Sequence, residues 1–115
     1  MSQGEWQQIS PSIRRKILPS GKQLMSMLVE FKQGGYGPEH AHPHEQLGYV
    51  VYGKIKMILG DEDVVLETGE QIWVPSDVPH SVIALEDSLV LEVFTPLRED
   101  LLASMHVTNE TEMSS

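Results

Sequence analysis

The chain has 115 residues, 40% of them hydrophobic, with 17 acidic against 8 basic side chains and a formal net charge of −9. That length suits one domain with a real core and excludes two. The absence of cysteine excludes disulfides, thiolate catalysis and cysteine-ligated zinc or iron–sulfur centres.

Arg14, Arg15 and Lys16 form the one basic cluster, too little to predict nucleic acid as a partner. No apolar run approaches the roughly 20 residues that cross a bilayer. No apolar segment of roughly 7–15 residues follows a basic start, so a secretory leader is not expected. A cytoplasmic protein without a membrane partner is the expectation. An anionic ligand would find no long-range attraction here and would have to be held by a local arginine or a metal.

Taken in order, residues 12–18 and 23–31 are the first predicted strands, joined by the Pro19-Ser20-Gly21-Lys22 turn. In the second, Met25, Met27, Val29 and Phe31 share one face, and Leu24, Ser26, Leu28 and Glu30 the other. Both faces being largely apolar predicts a strand buried on both sides. Gly34, Gly35, Gly37 and Pro38 then break the pattern. Strands are expected again over 47–52, 55–59, 64–67, 71–74, 80–85 and 89–95, separated by Gly, Pro, Asp and Ser at intervals of about 8–12 residues. A helical turn is expected only over 98–105, where Leu101, Leu102 and Met105 have helical spacing. One domain is predicted over 1–115, its core at about 12–105 and a frayed polar tail at 106–115. So many short strands with so little helix leave a β-sandwich or a jelly-roll barrel.

On a strand, residues i and i+2 point to one face. His40 and His42 would therefore offer two imidazoles to one point, with Ala41 turned away. Gln46 shares their parity, and His80, opening another predicted strand after Pro79, would deliver a third imidazole. Such a set suits a first-row divalent transition metal with open positions for water or substrate. Two histidines at this spacing also occur on solvent-facing strands, so spacing alone does not establish a metal site. His44 has the same parity but lies beside Glu45 and is read as exposed or as a neighbour of the ligands; His106 is read as solvated. Glu92 and Phe94 share a face of an otherwise apolar strand. A carboxylate there needs a partner or a chemical task, whereas Phe94 suits core or cavity wall equally. Arg98 belongs either to a cavity or to the polar surface of the last turn. Tyr36, in the glycine loop, is a candidate substrate contact, and Trp73 and Tyr49 are read as packing on the outer sheet.

These residues resemble the two motifs of the cupin family. The first, G-x5-H-x-H-x3-E-x6-G, is met by Gly34, His40, His42, Gln46 in the glutamate place, and Gly53. The second, G-x5-P-x-G-x2-H-x3-N, is met by Gly69, Pro75, Asp77 in the glycine place, His80, and Ala84 in the asparagine place. The resemblance implies an all-β, single-domain double-stranded β-helix with a metal inside its mouth on His40, His42, Gln46 and His80. It also implies a homodimer paired through an edge strand. Nickel, manganese, iron, cobalt and zinc all suit such nitrogen and oxygen ligands. The neutral Gln46 leaves a divalent metal its full charge, which favours Lewis-acid work over iron redox chemistry. Gln46 is expected as a ligand, with hydrogen bonding to bound water as the alternative.

A narrower resemblance runs through HAHPHEQLGYVVYG, WVPSDVPH and LEVFTPLRED. These stretches are similar to the small pectin-degradation cupins, which linearise 4,5-unsaturated monouronates to 4-deoxy-5-keto-uronates. That resemblance implies Glu92, Phe94 and Arg98 as catalytic residues, Glu92 standing where that family has aspartate. Arg98 would grip the carboxylate of a small sugar acid, and Phe94 would stack on its ring. A non-catalytic cupin that holds a metal or small acid, and a cupin dioxygenase, are the other readings of the same motifs.

Overall fold

Alternating apolar residues and tight glycine turns build ten strands: β1 (Trp6–Ser10), β2 (Ile13–Ile17), β3 (Met25–Phe31), β4 (Tyr36–His40), β5 (Glu45–Tyr52), β6 (Lys54–Leu59), β7 (Glu62–Glu67), β8 (Gln71–Val74), β9 (His80–Ala84) and β10 (Ser88–Thr95). The structure is a computed structural model and describes residues 5–103. The strands form a six-stranded sheet, β1-β2-β3-β10-β5-β8, and a four-stranded sheet, β4-β9-β6-β7, with antiparallel pairing throughout. Two sheets closed around one core make the jelly-roll barrel that periodicity alone could not separate from an open sandwich. No helix among the described residues is long and apolar enough to cross a membrane.

The core lies between the sheets. Met25, Met27, Val29 and Phe31 of β3 meet Val50, Ile55, Val90 and Phe94 there, each large side chain stabilising by about 1.5–3 kcal/mol through burial. The opposite face of β3 is only half-buried, and Leu24 stands exposed before the strand begins. The expectation of burial on both faces is corrected, because among the described residues no second layer covers the outside of the large sheet.

Two strands escape periodicity. β1 carries little apolar residue and is held by pairing with β2 and by the Trp6 ring, which takes the Arg14 guanidinium 4.2 Å from its centroid. β4 forms in the glycine–proline stretch expected to be a break. It pairs with β9 and brings His40 opposite His80, with a register irregularity between Gly37 and His40. Pro38 lies in that gap and has no N–H to give a ladder. β4 ends at His40, so His42 sits in the β4–β5 connection, not on the same strand.

Gly53 turns β5 into β6 at φ 105°. A Cβ there would collide with Ser88 Oγ and the Asp87 carbonyl at the start of β10. Asp77, in the cupin glycine place, keeps the left-handed backbone at φ 64°, a conformation aspartate tolerates better than most side chains. Its N–H donates to the His42 carbonyl over 2.8 Å. Past β10 the chain turns into one helical turn, α1, at residues 99–103, with Leu101 buried against the core. Met105, His106 and the predicted tail lie outside the described residues.

Gly53→Ala should destabilise the fold by about 2–4 kcal/mol through overpacking and left-handed strain. The reading is a lower urea midpoint at unchanged slope; a midpoint equal to that of the parent would show that Ser88 yields.

Candidate functional site

Three histidines converge at one end of the barrel. His40 closes β4, His80 opens β9 directly opposite it, and His42 arrives from the connection after β4. One nitrogen of each lies within 4.8 Å of the others. Each ring is turned by a backbone carbonyl two residues away. His40 Nδ1 donates to Pro38 O (3.1 Å), His42 Nδ1 to His44 O (3.0 Å) and His80 Nδ1 to Val78 O (2.9 Å). Carbonyls only accept, so each Nδ1 holds the proton and each Nε2 keeps its lone pair.

His80 Nε2 is buried with no partner. His42 Nε2 faces Gln46 Oε1 at 3.1 Å, two acceptors with no proton between them. Burial, Arg98 and His80 lower the pKa of His42; burial, followed by His40 and Arg98, lowers that of His80 against the raising effect of the Val78 carbonyl. Imidazoles with a common focus and an orphaned buried nitrogen fit a metal ion, and His40, His42 and His80 could hold one.

Gln46 and Glu92 link this focus to the cavity. Gln46 Nε2 donates to Glu92 Oε1, which orients the amide so that its oxygen faces His42. His40, Gln46, His80 and Glu92 all line a cavity whose far wall is apolar, including Ile55, Leu66 and Val90. Burial pushes the Glu92 carboxyl up to about 7, against the lowering effect of Arg98. Directly across the β10–β5 ladder from Glu92 is Gly48. Its missing side chain leaves room for the extra methylene that glutamate carries over aspartate.

The cupin domain family model matches residues 27–95. The chain is a cupin. Pectin degradation protein KdgF of Dickeya dadantii (strain 3937) is 32% identical over 99 residues, which are 84% of this chain and 90% of that protein. Among solved structures, KdgF from Halomonas sp. superposes with a TM-score of 0.80 at 39% identity, covering 84% of this chain and 92% of the other. An RmlC-like cupin from Shewanella frigidimarina NCIMB 400 gives 0.81 at 31% identity, over 86% and 89%.

Other predicted residues take different places in this cupin. Phe94 is 1% exposed, with the His42 ring edge-on at 5.8 Å and the Arg98 guanidinium 5.0 Å above it. It supports those two side chains instead of offering a free face for stacking. Arg98 is buried, and its Nε and Nη2 are already forked onto Asp100 at 2.9 and 2.6 Å. The same fork holds the Asp100 carboxyl down at about 2. Tyr36 is 53% exposed and is absent from the cavity wall, where its neighbour Gly37 stands instead. Trp73 and Tyr49 lie on the outside of the large sheet.

Sequence reasoning missed Asp100 and the side chain of His44. The His44 Nε2 donates to the Leu97 carbonyl (3.1 Å), tying the β4–β5 connection to the Arg98 segment. An Arg-x-Asp pair after the last strand was the available signal for the first. Nothing in the sequence marked the second, whose partner lies 53 residues away.

Adding a divalent transition metal to chelated protein should raise Tm by several degrees through linkage. His80→Ala, which removes the orphaned nitrogen, should abolish that rise. An equal rise in the variant would mean that the metal binds elsewhere.

Proposed function

We propose that this cupin opens the ring of 4,5-unsaturated monouronates, in the cytoplasm and with no net redox change, to give 4-deoxy-5-keto-uronates. The observation that carries the reading is the Glu92 carboxyl, poised near neutrality beside the histidine cluster. The kinship with KdgF proteins over most of both chains supports it.

The reaction needs a base for the C1 hydroxyl proton. As that proton leaves, the C1 carbonyl forms, the bond from C1 to the ring oxygen breaks, and the electron pair passes to an enolate over O5, C5 and C4. Protonation at C4 completes the keto product. A group with pKa near 7 is suited both to take the first proton and to return it. Gln46 engages one carboxylate oxygen of Glu92 and leaves the other for the substrate. A divalent transition metal on His40, His42, His80 and Gln46 would supply positive charge that stabilises the developing enolate. Arg98 would take the uronate carboxylate, and the apolar barrel wall would keep bulk water from the carbanion.

Glu92→Gln should lower kcat by about 10²–10⁴-fold with metal content unchanged, followed by loss of absorbance of the conjugated double bond. A variant that turns over like the parent would remove Glu92 from the mechanism. Absence of turnover in the metal-loaded parent would leave a binding module.

We further propose that two copies pair through the outer face of the large sheet and not through an edge strand. Leu47, Tyr49, Val51 and Trp73 are exposed there, with Leu28, Leu91 and Val93 half-buried among them. Charge keeps to the borders, in Lys16 and the Arg14–Glu30 pair on one side and Glu45 on the other. Four strands at about 4.8 Å spacing can supply the roughly 800 Å² that each partner gives a stable interface. Leu47→Glu should convert a dimer to a monomer in light scattering while Tm shifts by no more than a few degrees. A monomeric parent at micromolar concentration would end this assignment.

A further inference from the structure

Arginine can meet a carboxylate in parallel along two edges of its guanidinium, Nε with Nη2, or Nη1 with Nη2. In this cupin Asp100 occupies the first edge, Oδ1 on Nε at 2.9 Å and Oδ2 on Nη2 at 2.6 Å. The pair therefore leaves Nη1 and the second Nη2 hydrogen outside it. The guanidinium carbon stands 5.0 Å from the centroid of the Phe94 ring, which the His42 ring meets edge-on at 5.8 Å. The backbone beneath it is pinned on both sides. His44 Nε2 holds the Leu97 carbonyl, and the Arg98 N–H meets Met25 Sδ at 3.1 Å.

Arg15 lies on β2, where burial and then the charge of Arg98 lower its pKa and Asp100 raises it. Asp100 stays ionised through the working pH range, because Arg98 holds its carboxyl at about 2.

We propose that Asp100 is a positioning residue that fixes Arg98 as a preset clamp, presenting its Nη1–Nη2 edge to the carboxylate of a sugar acid. The inference rests on the ring-opening reading only for the identity of that acid. Asp100 also accepts N–H bonds from its own backbone and that of Leu101 at the start of α1, so a purely structural role is the alternative to be separated.

Metal-loaded Asp100→Ala and Asp100→Glu should be compared with the parent in two assays: turnover of a 4,5-unsaturated monouronate, and calorimetric binding of D-galacturonate, a saturated uronate with no 4,5 double bond to open. Asp100→Ala should raise KM tenfold or more with kcat within threefold, and weaken galacturonate binding by a similar factor. Asp100→Glu, which keeps the fork, should recover most of both. A fall in kcat at unchanged KM would overturn the proposal. So would parental behaviour in Asp100→Ala, or losses in Asp100→Glu equal to those of alanine. If the parent binds galacturonate but does not turn over unsaturated uronate, the ring-opening reading fails, and the binding series alone decides the clamp. No galacturonate binding by the parent overturns it as well.

Discussion

Three imidazole lone pairs aimed at one place repel one another, and the rest of this site is arranged around that constraint. Each ring is locked by a carbonyl two residues from it, so no ring can rotate to offer its proton to a neighbour. The buried Nε2 of His80 has no donor at all, a state that costs about 1–3 kcal/mol for a neutral group. The two sheets enforce this convergence by bringing β4 and β9 together, and the Asp77 N–H draws the His42 backbone in from the side. A cation is the one partner that satisfies all three nitrogens at once.

Gln46 settles how charge is divided next to that focus. A glutamate in its place would put one carboxylate against both His42 and Glu92, and two buried carboxylates within hydrogen-bonding distance cannot both ionise cheaply. The amide carries no charge: its N–H donates to Glu92, and its oxygen is left facing the His42 Nε2 lone pair, where a cation would serve both. The one carboxylate of the pair stands instead on β10, with Gly48 opposite it across the ladder.

Spacing made the histidine and glycine framework legible, because those positions are fixed by backbone requirements. Gly53 and Asp77 sit where the chain needs positive φ, and that need is written directly into residue type. The alternation argument for His40 and His42 reached the right neighbours by the wrong route: the strand stops at His40, and the β4–β5 connection carries His42 inward. Where function rests on what a side chain meets after folding, the sequence was less informative. Phe94 could be read as wall or core until the His42 and Arg98 contacts settled its surroundings. Asp100 looked like part of a polar turn because its fork with Arg98 depends on side-chain conformation. β1 was invisible because cross-strand pairing and a cation–π contact, not an apolar stripe, hold it in place.

The charge balance of the molecule bears on how an anion could enter. A chain with a formal net charge of −9 repels an acid at long range, but exposed carboxylates are screened beyond the Debye length of about 8 Å at physiological salt. Buried charges are screened far less. Arg98 is enclosed, so its field still reaches His42, His80 and Glu92 across the mouth of the barrel even with Asp100 beside it. An anionic ligand would meet attraction only after passing the surface, where geometry as well as charge selects it. Such a site would discriminate by the shape of the acid as well as by its charge.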